Sequence, residues 1–234
     1  MLYSFVTVFK DDFERLLKTI DSLLGQRCNL RFHHHVQLCN PDRAVIEYLT
    51  HLQRISYDHY VLTYCAEPDE GIYDGMNRSL RHTRGNYLIF LNCGDTLVHA
   101  NSISHLTQII EHEIRLVKDL QSPDLIALSF VYSREGAGWD ICGYRSFTNA
   151  LESGFLICQQ SLMYSRHYLL QHNFNTKYRL AGDYEHSLGM LRDNAKILDI
   201  PYALVNYEAG GLSEACSVEA SKEIQIIRMA FHKR

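Results

Sequence analysis

The segment best suited to chemistry in this 234-residue chain is Asn92-Cys93-Gly94-Asp95, which follows the apolar run Tyr87–Leu91 without a gap. A carboxylate on a turn there suits a hard cation, Mg2+ or Mn2+, which keeps several waters, bridges a diphosphate and needs only one or two protein carboxylates. The competing reading is that Asp95 simply favours the turn. Three more short apolar or aromatic runs end in Thr7-Val8-Phe9-Lys10, in Cys39-Asn40-Pro41-Asp42 and in Glu67-Pro68-Asp69-Glu70-Gly71, the last two acidic. Asp183 precedes Tyr184, Leu188 and Leu191 at helical spacing, the place of a helix N-cap. His33-His34-His35 stands in the alternating stretch FHHHVQL, where neighbours point to opposite faces, so it reads as strand rather than as a metal site. The seven cysteines are odd in number and form no C-x-x-C pair; they read as reduced, mostly core thiols.

The elements that must carry these residues follow from periodicity. Leu2–Phe9 reads as a strand, and Asp11 and Asp12 then open a helix with Phe13, Leu16, Leu17, Ile20, Leu23 and Leu24 at helical spacing and Gly25 past its end. His33–Cys39 is a second strand, and Asn40-Pro41-Asp42 opens a second helix with Val45, Tyr48, Leu49 and Leu52 on one face. His59–Cys65 and Tyr87–Leu91 are strands, while Asp74–His82 and Ser102–Val117 are helices. Such β-α alternation implies a mostly parallel sheet covered on both faces, with ligands beyond the carboxyl ends of the strands. After Pro123 the rhythm turns mixed. Leu125–Tyr132 reads as a strand, Gly136–Tyr144 as a hairpin segment and Phe155–Ser165 as one or two strands. A short helix at Arg166–His172, a helix from about Tyr184 to Arg192, strand-like Lys196–Tyr207 and a terminal helix at Ser217–Arg234 complete the chain.

Composition narrows the class. Hydrophobic residues at 46%, charged residues at 21% and only 4 Pro and 13 Gly fit a globular chain and exclude collagen, coiled coil and long disorder. The formal net charge of −4 argues against a broad nucleic-acid surface, so no nucleic-acid partner is expected. No apolar run approaches the roughly 18 residues that span a bilayer, and the N-terminus lacks the pattern of a signal peptide, so a cytoplasmic protein is expected.

The pieces SFVTVF, EPDEGIYDGMNRSL, TRGNYLIFLNCGD, ICQQSLMYSR and YRLAGDYEHSLGML resemble, in order, bacterial family-2 glycosyltransferases of GT-A fold, most nearly the colanic-acid and O-antigen type. The resemblance runs from about residue 3 to 213. It implies a single α/β GT-A domain over 1–234: a Rossmann-like, mostly parallel nucleotide-sugar-binding half over about 1–120, a mixed acceptor half over about 121–213 and a C-terminal helix over 214–234. It implies inverting transfer of a sugar from a nucleotide-diphosphate donor, a UDP-sugar first among them, to a hydroxyl of a glycan acceptor in surface-polysaccharide assembly such as O-antigen or capsule.

Carried over by position, Asp95 would bind the Mg2+ or Mn2+ that holds the donor diphosphate, with Gly94 where many relatives have aspartate. Thr7, Phe9, Gln37, Glu67, Asp74, Asn77, Asn92 and Gly94 would border the nucleotide and sugar. Gln37 stands where the family's base-contacting aspartate usually is, and its amide can still pair with a pyrimidine edge. Asp183 would be the catalytic base. Gln159 and Gln160, with Gly211 and Ser213 of a G-G-x-S loop, would line the acceptor or diphosphate pocket. A catalytically degenerate nucleotide-sugar-binding protein is the alternative raised by Gln37 and Gly94. A nucleotidyltransferase is disfavoured because residues 7–12 hold no glycine. In the terminal helix, Ile224, Ile227 and Phe231 share a face that Ile226, Met229 and Ala230 widen. With Lys222 and Arg228 it suits either core packing or a peripheral contact with an anionic membrane, where a lipid-linked acceptor would lie.

Overall fold

The computed structural model describes residues 2–55, 57–116, 122–134, 138–142, 146–153, 158–208 and 216–232. Its first half alternates as the periodicity requires: β1 (Tyr3–Phe9), α1 (Phe13–Leu24), β2 (Phe32–Leu38), α2 (Arg43–Arg54), β3 (Tyr60–Ala66), α3 (Ile72–Ser79, extended by a 3-10 turn at Leu80–His82) and β4 (Tyr87–Phe90). Then come β5 (Thr96–Leu97), α4 (Ser102–Leu116), β6 (Leu125–Arg134), β7 (Gly138–Cys142), α5 (Phe147–Glu152), a 3-10 turn at Gln159–Ser161, β8 (Leu162–Ser165), α6 (Arg166–Gln171), α7 (Gly182–Arg192), β9 (Ile197–Glu208) and α8 (Ser217–His232). Asp12 caps α1 through a 2.9 Å bond from Arg15 N–H, which removes one of the four unpaired donors at that helix end.

Among the described residues, all nine strands form one sheet in the order β3-β2-β1-β4-β8-β6-β9-β5, with β7 paired to β6. The first four are parallel. β8 then runs antiparallel to both β4 and β6, so the expected parallel first half is followed by a mixed second half. The register of β6 against the parallel strand β9 shifts between Leu128 and Phe130 and steps over Pro201 and Tyr202. Proline lacks a ladder donor and is tolerated at such an irregularity.

Side-chain parity divides the core in two. Tyr3, Phe5 and Phe9 of β1 pack with Leu16, Ile20 and Leu23 of α1, Leu49 of α2 and Ile103 and Leu106 of α4. Val6 packs on the other face with Tyr73 and Met76 of α3, Phe147 of α5, Leu169 of α6 and Tyr184 of α7. The triplet behaves as strand: His34 bonds Thr7 and Tyr60 on one face, while His33 and His35 share Thr63 on the other. Burial holds His33 and His35 at about 4 and about 3, so the three rings are neutral at neutral pH. The cysteines are all free but half-buried rather than core.

Several elements differ from expectation. β5 and α5 are too short to show a period, and of Phe155–Ser165 only Leu162–Ser165 is strand, since Gln159–Ser161 turns and residues 154–157 lie outside the described part. Asp183 is not an N-cap. That place belongs to Ala181, and Asp183 sits inside the first turn. On α8, Ile227 is buried and Ile224 and Phe231 pack on the second core, so this face is core, while Val218, Ile226 and Met229 stay exposed. Among the described residues no helix is long and apolar enough to cross a membrane.

Candidate active site

β1 lies between β2 and β4, and the connections leave its two sides in opposite directions. The crevice of an open α/β sheet forms at the carboxyl ends of strands at such a switch point. A cleft of about 500 Å3 opens there, a size usual for small-molecule sites. Its floor is made by Val8 and Lys10–Asp12 after β1 and by Asn92, Cys93 and Asp95 after β4. Tyr73 of α3, Gln159 and Gln160, and Leu180 and Asp183 at the start of α7 form one wall. Phe130 and Tyr132 of β6 and Tyr207 and Glu208 of β9 form the other, where the Tyr132 and Tyr207 rings stack at 5.7 Å.

Asp95 is only 2% exposed. Its Oδ1 accepts the Glu208 N–H at 2.9 Å. Burial nonetheless pushes its carboxyl up to about 7, with the Glu208 N–H, the Gln160 side chain and Arg15 opposing and the Glu208 carboxylate adding to the rise. An ionised Asp95 is therefore short of positive charge, which is the condition a bound cation relieves. The turn before it is stabilised by the N–H of Gly94, which donates to Arg15 O and Thr19 Oγ1, both at 3.0 Å. Gly94 has φ +99°, and a Cβ there would overlap the Glu208 carboxylate and the Arg15 guanidinium. The space a side chain at 94 would need is filled by Glu208, held by Arg15 Nε at 3.0 Å and Lys18 Nζ at 3.2 Å.

Asp183 lines the same cleft. Tyr73 Oη–H donates to its Oδ1 at 2.8 Å and Tyr184 N–H at 2.9 Å. Burial raises its carboxyl above the usual carboxylate range, and these two donors moderate the rise. Asn92 also lines the cleft, with a buried Oδ1 that has no partner among the described atoms. Gln159 and Gln160 are there too.

The remaining residues implied by the resemblance lie elsewhere. Thr7 and Phe9 are buried under the sheet, Thr7 bonded to His34 and to Leu91 O; alternation along β1 gives the cleft Val8 instead. Gln37 is fully buried, its Nε2 unpartnered, and does not reach the lining. Glu67 pairs with Arg81 and Arg78, and Asp74 with Arg78. Asn77 clamps Phe174 through bonds of 2.8 and 2.9 Å to its carbonyl and N–H. Each of the three is engaged within the fold, and none is among the residues lining the cleft. Gly211 and Ser213 fall outside the described residues.

One group of three metal-ligating side chains occurs among the described residues, Cys65, Glu67 and His82, within 4.8 Å of one another. It lies outside the cleft lining, and Glu67 there is already neutralised by arginines. Sequence reasoning missed Glu208 and Tyr73. Tyr73 stands inside the EPDEGIYDGMNRSL piece without being singled out there, and Glu208 lies outside every quoted piece, its N–H reaching Asp95 across 113 positions.

Compared with solved structures, the chain superposes on Staphylococcus aureus TarS 1–349 in complex with UDP at TM-score 0.68 and 13% identity, covering 97% of this chain and 65% of that one. The fold is GT-A. A second GT-A neighbour, the Pyrobaculum calidifontis mannosyltransferase PcManGT in complex with GDP-Man and Mn2+, matches at TM-score 0.66 and 14% identity over 93% of this chain and 60% of that one. Among curated proteins, the PGL/p-HBAD biosynthesis glycosyltransferases of Mycobacterium bovis (strain BCG / Pasteur 1173P2) and Mycobacterium tuberculosis (strain ATCC 25618 / H37Rv) are each 29% identical over 151 residues. Those alignments take in 63% of this chain, which spans about half, 55%, of the relatives' length. No family model matches.

Proposed function

We propose that the protein is an inverting glycosyltransferase that moves a sugar from a nucleoside-diphosphate donor to a hydroxyl of a glycan or glycolipid acceptor. The observation that carries this reading is that two carboxylates, buried Asp95 and partly buried Asp183, line one cleft at the switch point of a GT-A sheet. The solved neighbours support it, being bound to UDP, UDP-GlcNAc or GDP-Man. The motif resemblance favours a UDP-sugar and assembly of bacterial surface polysaccharide of the colanic-acid or O-antigen type.

A divalent cation fits the residues present. Asp95 would hold it, since burial leaves that acid short of compensating charge, and the Glu208 carboxylate, which acts on Asp95 while paired with Arg15 and Lys18, would be its nearest acidic neighbour. Such an ion, when bound, neutralises charge on the departing diphosphate. Asp183 takes the proton of the acceptor hydroxyl as that oxygen attacks the anomeric carbon. The bond to the diphosphate oxygen breaks on the opposite face, which inverts the centre. Tyr73 Oη–H and Tyr184 N–H both donate to Oδ1 of Asp183, leaving Oδ2 for the acceptor. A thermal-shift series with UDP, GDP and their sugars, with and without Mn2+, tests the reading. A UDP-dependent rise in Tm that needs Mn2+ and vanishes in Asp95→Ala is expected, and no response to any nucleotide refutes it.

A further inference from the structure

The carboxylate of Glu223, on α8, accepts three successive backbone N–H groups just before α7. Arg179 N–H donates to Oε1, and Leu180 N–H and Ala181 N–H donate to Oε2, each at 2.9 Å. Converging backbone donors of this kind form a cradle for an anion, and here the anion is supplied by the chain itself. The cradled segment is the one on which the proposed base stands. Tyr73 Oη, which donates to Asp183, also lies 3.2 Å from Leu180 O, so one hydroxyl ties the cradled turn to the carboxylate. A second grip from α8 lies one residue beyond, where Arg228 Nε donates to Tyr184 Oη at 3.0 Å and its guanidinium stands over that ring. α8 itself is anchored, with Ile227 2% exposed and Ile224 packed beside it on the second core.

We propose that Glu223 is the positioning residue for Asp183, fixing from α8 the turn that aims the base into the cleft. The inference rests on the reading of Asp183 as the base. Glu223 is absent from the residues lining the cleft; it acts through the backbone of residues 179–181, and its charge also adds to the rise of the Asp183 carboxyl. Truncating it leaves three donors without an acceptor and lets the turn relax toward water, and a displacement of about 1 Å at a reacting group costs on the order of 10²-fold in rate. Donor binding is tied first to Asp95, which Glu223 does not touch; Arg179 and Leu180 of the cradled turn also line the cleft, so UDP affinity should change less than kcat.

The experiment compares Glu223→Ala, Glu223→Gln and Asp183→Asn in the full chain. Turnover of UDP-glucose, UDP-GlcNAc and GDP-mannose is measured alongside UDP affinity in Mn2+ by calorimetry. Glu223→Ala is expected to lower kcat roughly 10–100-fold with donor KM and UDP Kd within about twofold. Glu223→Gln, which keeps an acceptor oxygen but loses charge and one acceptor, should recover part of the rate. Wild-type kcat in Glu223→Ala, with Asp183→Asn inactive, overturns the positioning role while leaving the base intact. Parallel loss of kcat and UDP affinity without recovery by Gln overturns it in favour of a general structural role. If Asp183→Asn turns over normally, the base reading itself fails and the inference falls with it. Should the Ala variant not fold, Glu223→Gln decides: a lower kcat at unchanged UDP affinity supports the role, and an unchanged kcat refutes it.

Discussion

Asp95→Asn should make the protein more stable at pH 8 and leave it little changed at pH 4. In the folded state burial lifts the Asp95 carboxyl from 3.8 to about 7. Between those values the unfolded chain has lost this proton while the folded one retains it. The folded state therefore binds more protons across that window, and stability falls as pH rises through it. Above about 7 the full cost is present. A gap of about three pH units at 1.36 kcal/mol each is about 4 kcal/mol, which asparagine, carrying no charge, does not incur. At 2–4 °C per kcal/mol for a chain of this size, the variant should melt on the order of 10 °C higher at pH 8. Thermal melts of both proteins from pH 4 to 8 read the difference directly. A gap in Tm that is the same at pH 4 and pH 8 would show that Asp95 is not a buried, undercompensated carboxylate. Addition of Mn2+ with UDP should stabilise wild type more at pH 8 than at pH 5, because the cation binds the ionised form, and should do nothing for the variant. The common expectation for a turn carboxylate, a negligible contribution to stability, does not hold for a side chain 2% exposed.

Three other outcomes follow. Asp183→Asn should retain UDP affinity while kcat drops by about 10²–10⁴, as measured by steady-state turnover against calorimetric Kd; and because burial raises this carboxyl, the acid limb of kcat in wild type should lie above the ordinary carboxylate range. Glu208→Gln, which keeps the backbone donor to Asp95 but loses the second carboxylate, should weaken Mn2+ binding in the presence of UDP about tenfold by electron paramagnetic resonance titration, and an unchanged Mn2+ affinity would remove Glu208 from the ion's surroundings. Gln37→Asp places a carboxylate where the side chain has no exposure, so it should destabilise by roughly 3 kcal/mol or more in denaturant melts, and a stable variant with stronger uracil-nucleotide binding would restore the base-contacting role.

The β-α order of the first half was legible because each helix there has a clean apolar stripe and each strand is bounded by turn residues. Leu16, Ile20 and Leu23 on α1 are all fully buried. What periodicity could not supply was parity. Thr7 and Val8 are adjacent on β1, and a one-residue difference sends the first into the helix-covered core and the second into the cleft. Asp95, Asn92, Gln159, Gln160 and Asp183 were found through motif resemblance and do converge on one cavity. Glu67, Asp74 and Asn77 stand in an equally marked block, yet arginine side chains and a backbone clamp occupy them. Only tertiary partners distinguish the two groups. Glu208 and Glu223 carried no signal for the same reason: their importance lies in what residues more than 40 positions away present to them, 113 positions for the Glu208 N–H and Asp95 and 42 to 44 for Glu223 and its cradle.

The ion pair that closes over Gly94 joins Arg15 to Glu208 across 193 positions of chain, and this span bears on when the site comes into being during synthesis. A ribosome that has delivered residues 1–100 has supplied β1, β4 and the NCGD turn, enough for the parallel half to begin packing. Yet β5 has no partner until Val205 and Asn206 emerge, and the Asp95 carboxylate has no backbone donor until Glu208 follows. Contacts of such separation form late and slowly. The growing chain thus carries an acid turn that is still open to water, and Asp95 acquires its raised affinity for protons only as β9 is laid into the sheet.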